Sequence, residues 1–288
     1  MIDALRRNWS HYLMEGLGLG LFMISAACFT TLLEHPASPL RAALPDPTLR
    51  RVLTGLAMGL TAVGLIYSPW GRRSGAHLNP SVTLAFLRLG RVAPWDGTFY
   101  VLAQFAGGIA GMSVAASALG PELAHPAVHY IVTEPGRWGA VPAFGAEAAI
   151  SFVLMLTVLN VSSAPRLAHL TGVVAGLLVA LWIGIEAPVS GMSMNPARSL
   201  GSAALAHEGR SLWLYFVAPP LGMLAAVEVF RRVRLRTLPD GREAERRLVC
   251  AKLHHAKGVR CIFCEHRERR ERPESEVTPR AGAQPTAG

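Results

Sequence analysis

Six apolar segments, at residues 12–33, 52–69, 95–119, 142–162, 168–186 and 211–230, dominate the sequence. Each approaches the ~20 residues that a helix needs to cross the hydrocarbon of a bilayer. The joints between them carry helix breakers and charges: His35–Pro39, Pro45–Pro47, Arg72–Arg73, Glu122–Gly136, Ala164–Arg166 and Glu208–Arg210. Charged residues make up 16% of the chain and hydrophobic ones 51%, whereas a soluble domain carries about 25% charged residues. A soluble enzyme, a disordered chain and a disulfide-stapled secreted domain are excluded. The first apolar run, Tyr12 to Leu33, is too long for the core of a signal peptide and reads as a first span. The chain is therefore expected to be an all-α, multi-pass membrane protein.

Six spans put both ends of the bundle on one side. Arg6, Arg7, Arg72, Arg73, Arg88, Arg91, Arg166 and the cluster Arg231, Arg232, Arg234, Arg236 fall on that side. Arg41, Arg50, Arg51, Arg137, Arg198 and Arg210 fall on the other. The positive-inside rule then predicts both termini in the cytoplasm of a plasma or inner membrane, with Arg41, Arg50 and Arg51 pulling against it. The charge is uneven along the chain. Residues 1–230 hold 13 Arg against 11 Asp/Glu, while residues 231–288 hold 15 Lys/Arg against 8 Asp/Glu. Basic and acidic residues alternate in the tail, as at Arg267-Glu268-Arg269-Arg270-Glu271-Arg272. That pattern is a solvated face attracted to anionic membrane lipid, not a nucleic-acid site.

Small residues recur four apart in every span: Gly16/Gly20, Gly55/Gly59, Gly107/Gly111, Gly145/Ala149, Gly172/Gly176 and Gly222/Ala226. In lipid, helices associate through close backbone approach, which such seams permit. A second regularity is an internal repeat. Ser74-Gly-Ala-His-Leu-Asn79-Pro80-Ser81 and Ser190-Gly-Met-Ser-Met-Asn195-Pro196-Ala197 share a Ser-Gly, three-residue, Asn-Pro-small pattern. Each follows the second span of a three-span half and precedes about ten apolar residues, too few to cross. Glu15 and Glu147 each lie in the first span of a half. Three spans per half make the halves inverted in the membrane.

Asn is a strong N-cap, and Pro fits the first helical position because its missing N–H costs nothing there. Asn79-Pro80 and Asn195-Pro196 are thus expected to start two half-helices that meet near the midplane. Non-helical backbone at that depth survives only when buried in protein or lining a wet cavity. With each Asn oxygen capping its own helix, each side-chain NH2 is left to donate into the cavity. The half-helix N-termini add partial positive charge. Such a pore binds polar neutral solutes and repels cations, hydrated protons included.

On these boxes (SGAHLNPS at 74–81 and SGMSMNPARS at 190–199), with Glu15, Glu147 and Gln104, residues 10–232 resemble the aquaporin, or major intrinsic protein, family. The resemblance implies a right-handed bundle of six spans and two half-helices, a water-width pore in each protomer, and a homotetramer. The pore centre is then Asn79, Pro80, Ser81, Asn195, Pro196 and Ala197. Ser81 stands where the family usually has Ala. The family's outer constriction maps to Arg198, Met192, Ile183 and Met58, or Gly59 if the preceding loop carries no extra residue. Orthodox water channels typically use an aromatic, a small polar or Cys residue, and a His with the arginine. Glycerol channels typically use two aromatics and a small residue, and have an Asp after the arginine. This set matches neither, and Ser199 follows Arg198. The family reading makes Glu15 and Glu147 acceptors for the pore loops. His77 lines the inner vestibule or packs as an ordinary buried histidine. Glu186 reads as a rim charge. His169 lies near the inner side.

Residues 1–232 thus read as the channel domain and 233–288 as a basic cytoplasmic tail with a disordered end. Within it, about 250–266, Cys250, His254, His255, Cys261, Cys264 and His266 have zinc-site spacing. Three ordinary thiols are the bland alternative. The bundle itself requires no cofactor. The function expected is a passive channel, not an enzyme, for water and small neutral solutes such as glycerol. Two other readings remain open: a coupled transporter using Glu15 and Glu147, and a non-conducting sensor acting through the Cys/His tail.

Overall fold

The structure, a computed structural model, describes residues 1–237 and 261–271. The first repeat runs α1 (Ile2–Glu34), α2 (Pro39–Ala43), α3 (Pro47–Tyr67), α4 (Pro69–Ser74), α5 (Pro80–Arg88) and α6 (Pro94–Leu119). A short α7 (Pro121–Ala124) and a 3₁₀ turn (His129–Ile131) lead to the second repeat. That repeat is α8 (Ala140–Ser163), α9 (Thr171–Ile185), α10 (Ala187–Ser190), α11 (Pro196–Ala206) and α12 (Leu212–Thr237). Tail residues form α13 (Ile262–Glu271). Among the described residues six helices are long and apolar enough to span a membrane.

Local chemistry sets the ends. Asp46 caps α3 by accepting from Thr48 N at 2.7 Å and Leu49 N at 3.4 Å, with Pro47 at the first helical position. Helix α1 begins at Ile2, about ten residues before the apolar run expected from Tyr12. Its early turns are held because Asn8 Nδ2 and Tyr12 Oη donate to Asp96 Oδ1, at 2.9 and 2.6 Å. Asp96 lies in the first turn of α6. The half-helices α5 and α11, with 9 and 11 residues, are about 14 and 17 Å long at 1.5 Å per residue. Each crosses about half of a bilayer core.

The packing repeats with the sequence. Helix α1 packs on α6, as α8 packs on α12, and α3 packs on α9 between the halves. Each half-helix leans on the third span of the other half, α5 on α12 and α11 on α6. Glycine makes these approaches possible. A Cβ on Gly107 would stand 2.0 Å from the carbonyl oxygen of Gly16, and one on Gly59 2.5 Å from that of Gly176. A Cβ on Gly222 would stand 2.1 Å from Ala148 O. The fourth expected seam makes no such approach among the described residues. Gly145 and Ala149 are exposed, and nothing lies within 4 Å of a Cβ on Gly145. Helix α8 meets α12 through Ala148 and the fully buried Ala143 instead.

The distal arginines that weakened the charge rule have structural partners. Arg50 is buried, paired with Glu34 at 3.0 Å, and donates to the carbonyls of Leu44 and Pro45. Arg51 Nε donates to Gly184 O at 2.9 Å.

Candidate functional site

Two loops, 75–79 and 191–195, enter the bundle from opposite faces, and each is built on left-handed backbone. Gly75 (φ 90°), Ala76 (47°) and Leu78 (49°) match Gly191 (77°), Met192 (51°) and Met194 (53°). Residues with side chains rarely hold this conformation, so something must over-determine it. The buried carboxylates do so. Glu15 accepts from Ser74 Oγ (2.6 Å), His77 N (3.0 Å), Leu78 N (2.6 Å) and Gln104 Nε2 (2.8 Å). Glu147 accepts from Ser190 Oγ (2.9 Å), Ser193 N (2.5 Å) and Met194 N (2.7 Å). Trans peptides point N–H and C=O in opposite directions. Two N–H groups turned toward each carboxylate therefore turn the carbonyls of Ala76, His77, Met192 and Ser193 the other way. All four residues line one cavity of about 510 Å³.

The loops meet at the two asparagines. Asn79 Oδ1 accepts from Ser81 N at 2.8 Å, and Asn195 Oδ1 accepts from Ala197 N at 3.1 Å and Arg198 N at 3.3 Å. Ser81 in place of Ala leaves the cap intact and is fully buried. Pro80, Pro196 and Ala197 are also buried, so the helix starts are packed from behind. The amide NH2 groups are not wholly free for the cavity, as the sequence implied. Asn79 Nδ2 donates to Met194 O at 2.7 Å, and Asn195 Nδ2 to Leu78 O at 2.8 Å. An amide carries two N–H donors. One of them ties the opposite loop, and both asparagines line the cavity.

Met58, Ile183, Met192 and Arg198 all line the same cavity. Gly59 does not, because it is used against Gly176 in the α3–α9 seam. Arg198 Nη1 is buried with no hydrogen-bond partner among the described residues. Ser199 is a clamp: its Oγ lies 2.6 Å from Ser193 Oγ and 2.7 Å from Thr133 Oγ1. The equivalent pair in the first repeat is His77 Nδ1 with Thr83 Oγ1, at 3.0 Å. His77 is thus both packed, stacked on Phe86, and part of the cavity wall. Glu186 is no rim charge. It is 7% exposed, because α10 folds back directly after it. The side chain of His169 is exposed, and its carbonyl accepts from Tyr67 Oη.

Sequence reasoning missed Tyr100 and Tyr215. Their hydroxyls donate to Ser74 O at 2.7 Å and Ser190 O at 2.5 Å, fixing the residue that precedes each loop. The available signal was a tyrosine 21 and 20 residues after each Asn-Pro asparagine. It also missed His129, Glu134 and Glu208, which each bring one ligand-type atom within 4.8 Å of the others on the distal face. Partial burial, then the hydrogen bond and charge of Glu208, push the Glu134 carboxyl above its ordinary value. In the tail, Cys261 Sγ and Cys264 Sγ are 3.5 Å apart. Among the described residues no third ligand, His266 included, joins them at metal-binding distance. Cys250, His254 and His255 lie outside the described residues.

The comparisons with known proteins agree with this geometry. The chain is 39% identical over 184 residues to the probable aquaporin NIP7-1 of Arabidopsis thaliana, covering 63% of this chain and 64% of that protein. It is 40% identical over 178 residues to aquaporin NIP3-1 of Zea mays, covering 61% and 57%. The matched region thus spans less than two thirds of these relatives' length. The X-ray structure of the aquaglyceroporin from Plasmodium falciparum shares the fold, with a TM-score of 0.63 at 20% identity, covering 77% of this chain and 94% of that one. The sequence model for the major intrinsic protein matches residues 5–230, and the chain belongs to that family.

Proposed function

We propose that the chain is a passive membrane channel for water and small neutral solutes such as glycerol, closed to ions and protons. The observation that carries this reading is the crossed pair at the cavity centre. Asn79 and Asn195 each cap a half-helix and each donate to the other loop's carbonyl. Two half-helix N-termini there, each worth roughly half a positive charge, repel cations. The carbonyls and the second amide N–H groups replace a water's lost partners. Glu15 and Glu147 are fully engaged by loop donors, which favours positioning over proton relay and so a channel over a coupled transporter. Met58, Ile183, Met192 and Arg198 form the narrowest distal point on this reading.

The channel unit is residues 1–232, and the tail is 233–288. The face where α1 begins and α12 ends is the cytoplasmic one, in a plasma or inner membrane, by the arginine bias of its loops. Four such chains assemble, as the family resemblance implies. Zinc in the tail rests on the Cys261–Cys264 spacing alone. Elemental analysis of protein purified with reductant reads it directly, and a metal-free result removes it. Stopped-flow swelling and shrinking of liposomes tests the main reading. It expects a low activation energy and no response to an imposed proton gradient. Proton-coupled flux supports the transporter, and no flux supports a structural role.

A further inference from the structure

We propose that the mouth of the cavity on the face shared by α1's start and α12's end is a docking surface for the chain's own segment 261–271, and that this segment gates the pore. The inference rests on the channel reading above. Helix α13 is strongly charged after its first turn, yet its apolar start is sequestered. Cys261 and Ile262 are 0% exposed, and Phe263 and Cys264 are 4% and 5%. They join the same apolar cluster as Phe86, Tyr100 and Phe230 of the bundle. A tail with no seat on the bundle would leave these side chains in water.

The seat has two points. The Phe263 ring lies 5.0 Å from Phe86 and 5.5 Å from His77, and it forms part of the cavity wall. Its edge stands 2.7 Å from where a Cβ on Gly75 would be. Only glycine at position 75 serves both its φ of 90° and this ring. The second point is polar. Arg269 Nη2 approaches Asp96 Oδ2 at 3.6 Å. Asp96 is 1% exposed, and its Oδ1 is already occupied by Asn8 and Tyr12, so Oδ2 is the oxygen left for the tail. An aromatic wedge against the loop that carries Asn79, latched by an arginine to the base of α6, closes or narrows the route when seated. Withdrawal of α13 opens it, and the seat fits a short helix bearing one aromatic at its start and one arginine two turns on.

The test uses the full chain carrying Cys28→Ser and Cys250→Ser, so that Cys261 and Cys264 are the only thiols. Reconstituted parent, Phe263→Ala and Arg269→Glu are compared for osmotic water permeability and for the rate of maleimide labelling. Arg269 makes an ion pair with Asp96 and lies close enough for its charge to be felt at His11 and Tyr12, so its substitution changes charge at the seat while leaving the apolar packing of the bundle alone. Both variants are expected to raise permeability about fivefold or more, as release of a mostly closed two-state latch requires. Labelling should accelerate by about tenfold in parallel. Parent flux equal to that of both variants overturns the gate while the channel reading stands. So does parent labelling as fast as in detergent-unfolded protein. Absence of flux from parent and variants alike, with thiols freed in Arg269→Glu, overturns the gate together with the channel reading.

Discussion

Glu147 accepts from two consecutive backbone N–H groups of a loop with left-handed residues, and from the hydroxyl of Ser190 at the end of α10 just before it. Glu147→Gln keeps the shape but turns an NH2 toward one of those donors. At about 1–3 kcal/mol for each buried donor left unsatisfied, the variant should melt at a lower temperature in detergent and lose most of its water flux. A variant as stable and permeable as the parent would show that the carboxylate does not hold the loop. At Asn195 the expected change is in selectivity. Asn195→Asp removes the donor that ties Leu78 O and sets a negative charge at a half-helix N-terminus. Cation leak or loss of flux should follow, read by conductance and stopped-flow together. Normal water flux with a cation-tight bilayer would remove Asn195 from the pore centre. The glutamates were legible in sequence because a carboxylate inside an apolar span demands a reason. Tyr100 and Tyr215 were not, because a tyrosine in an apolar run demands none until the carbonyl it reaches is known.

The seams between spans were read from glycine spacing, and the structure separates the ones that carry contact from the one that does not. Gly107 lies against the backbone of Gly16. Gly107→Ala must push α1 from α6, a cost of about 1–3 kcal/mol by analogy with overpacked cores. Gly145→Ala meets nothing and should be neutral or stabilising by up to about 1 kcal/mol. Thermal unfolding of the two variants side by side checks the pair, and equal losses would contradict the seam assignment. Spacing could not make this distinction, since a small residue at every fourth position says nothing about which face of the helix meets a neighbour. The distal connection 120–139 offers a pH test. Glu134's carboxyl is raised above its ordinary 4.5, first by partial burial and then by Glu208. A carboxyl raised in the folded state contributes stability below its unfolded value and loses it as pH rises through the folded one. Protection of this segment from proteolysis should therefore fall from about pH 4.5 upward. Glu134→Gln should flatten that dependence, and an unchanged profile would place its origin elsewhere.

At the scale of the molecule, the proposed gate and the proposed selectivity filter line one cavity with different chemistry. The inverted repeat and the existence of that cavity followed from the two Asn-Pro boxes. The seating of α13 did not, because four apolar residues at the start of one charged stretch of the tail carry no period and no motif for a seat. The two proposals predict separable behaviour. Phe263, as the proposed gate, is bulk in the cavity wall and should affect every solute alike. The proposed distal set is Arg198 with Met58, Ile183 and Met192, all lining the cavity, and the last three supply bulk but no strong hydrogen-bond groups. Water at that point keeps Arg198 and loses the partner a histidine would provide. A larger, partly apolar solute loses less, and unbranched methionines adapt to its shape. The chain should therefore pass glycerol measurably beside water. Ile183→His restores a polar wall and narrows it, so glycerol permeability should fall relative to water by on the order of tenfold, the scale of one pocket contact. The same substitution should leave labelling of Cys261 and Cys264 unchanged, because it lies on the other half of the path. A parent that excludes glycerol, with a ratio indifferent to Ile183→His, would mean that Ile183 does not set the width there and that selectivity resides nearer the crossed asparagines.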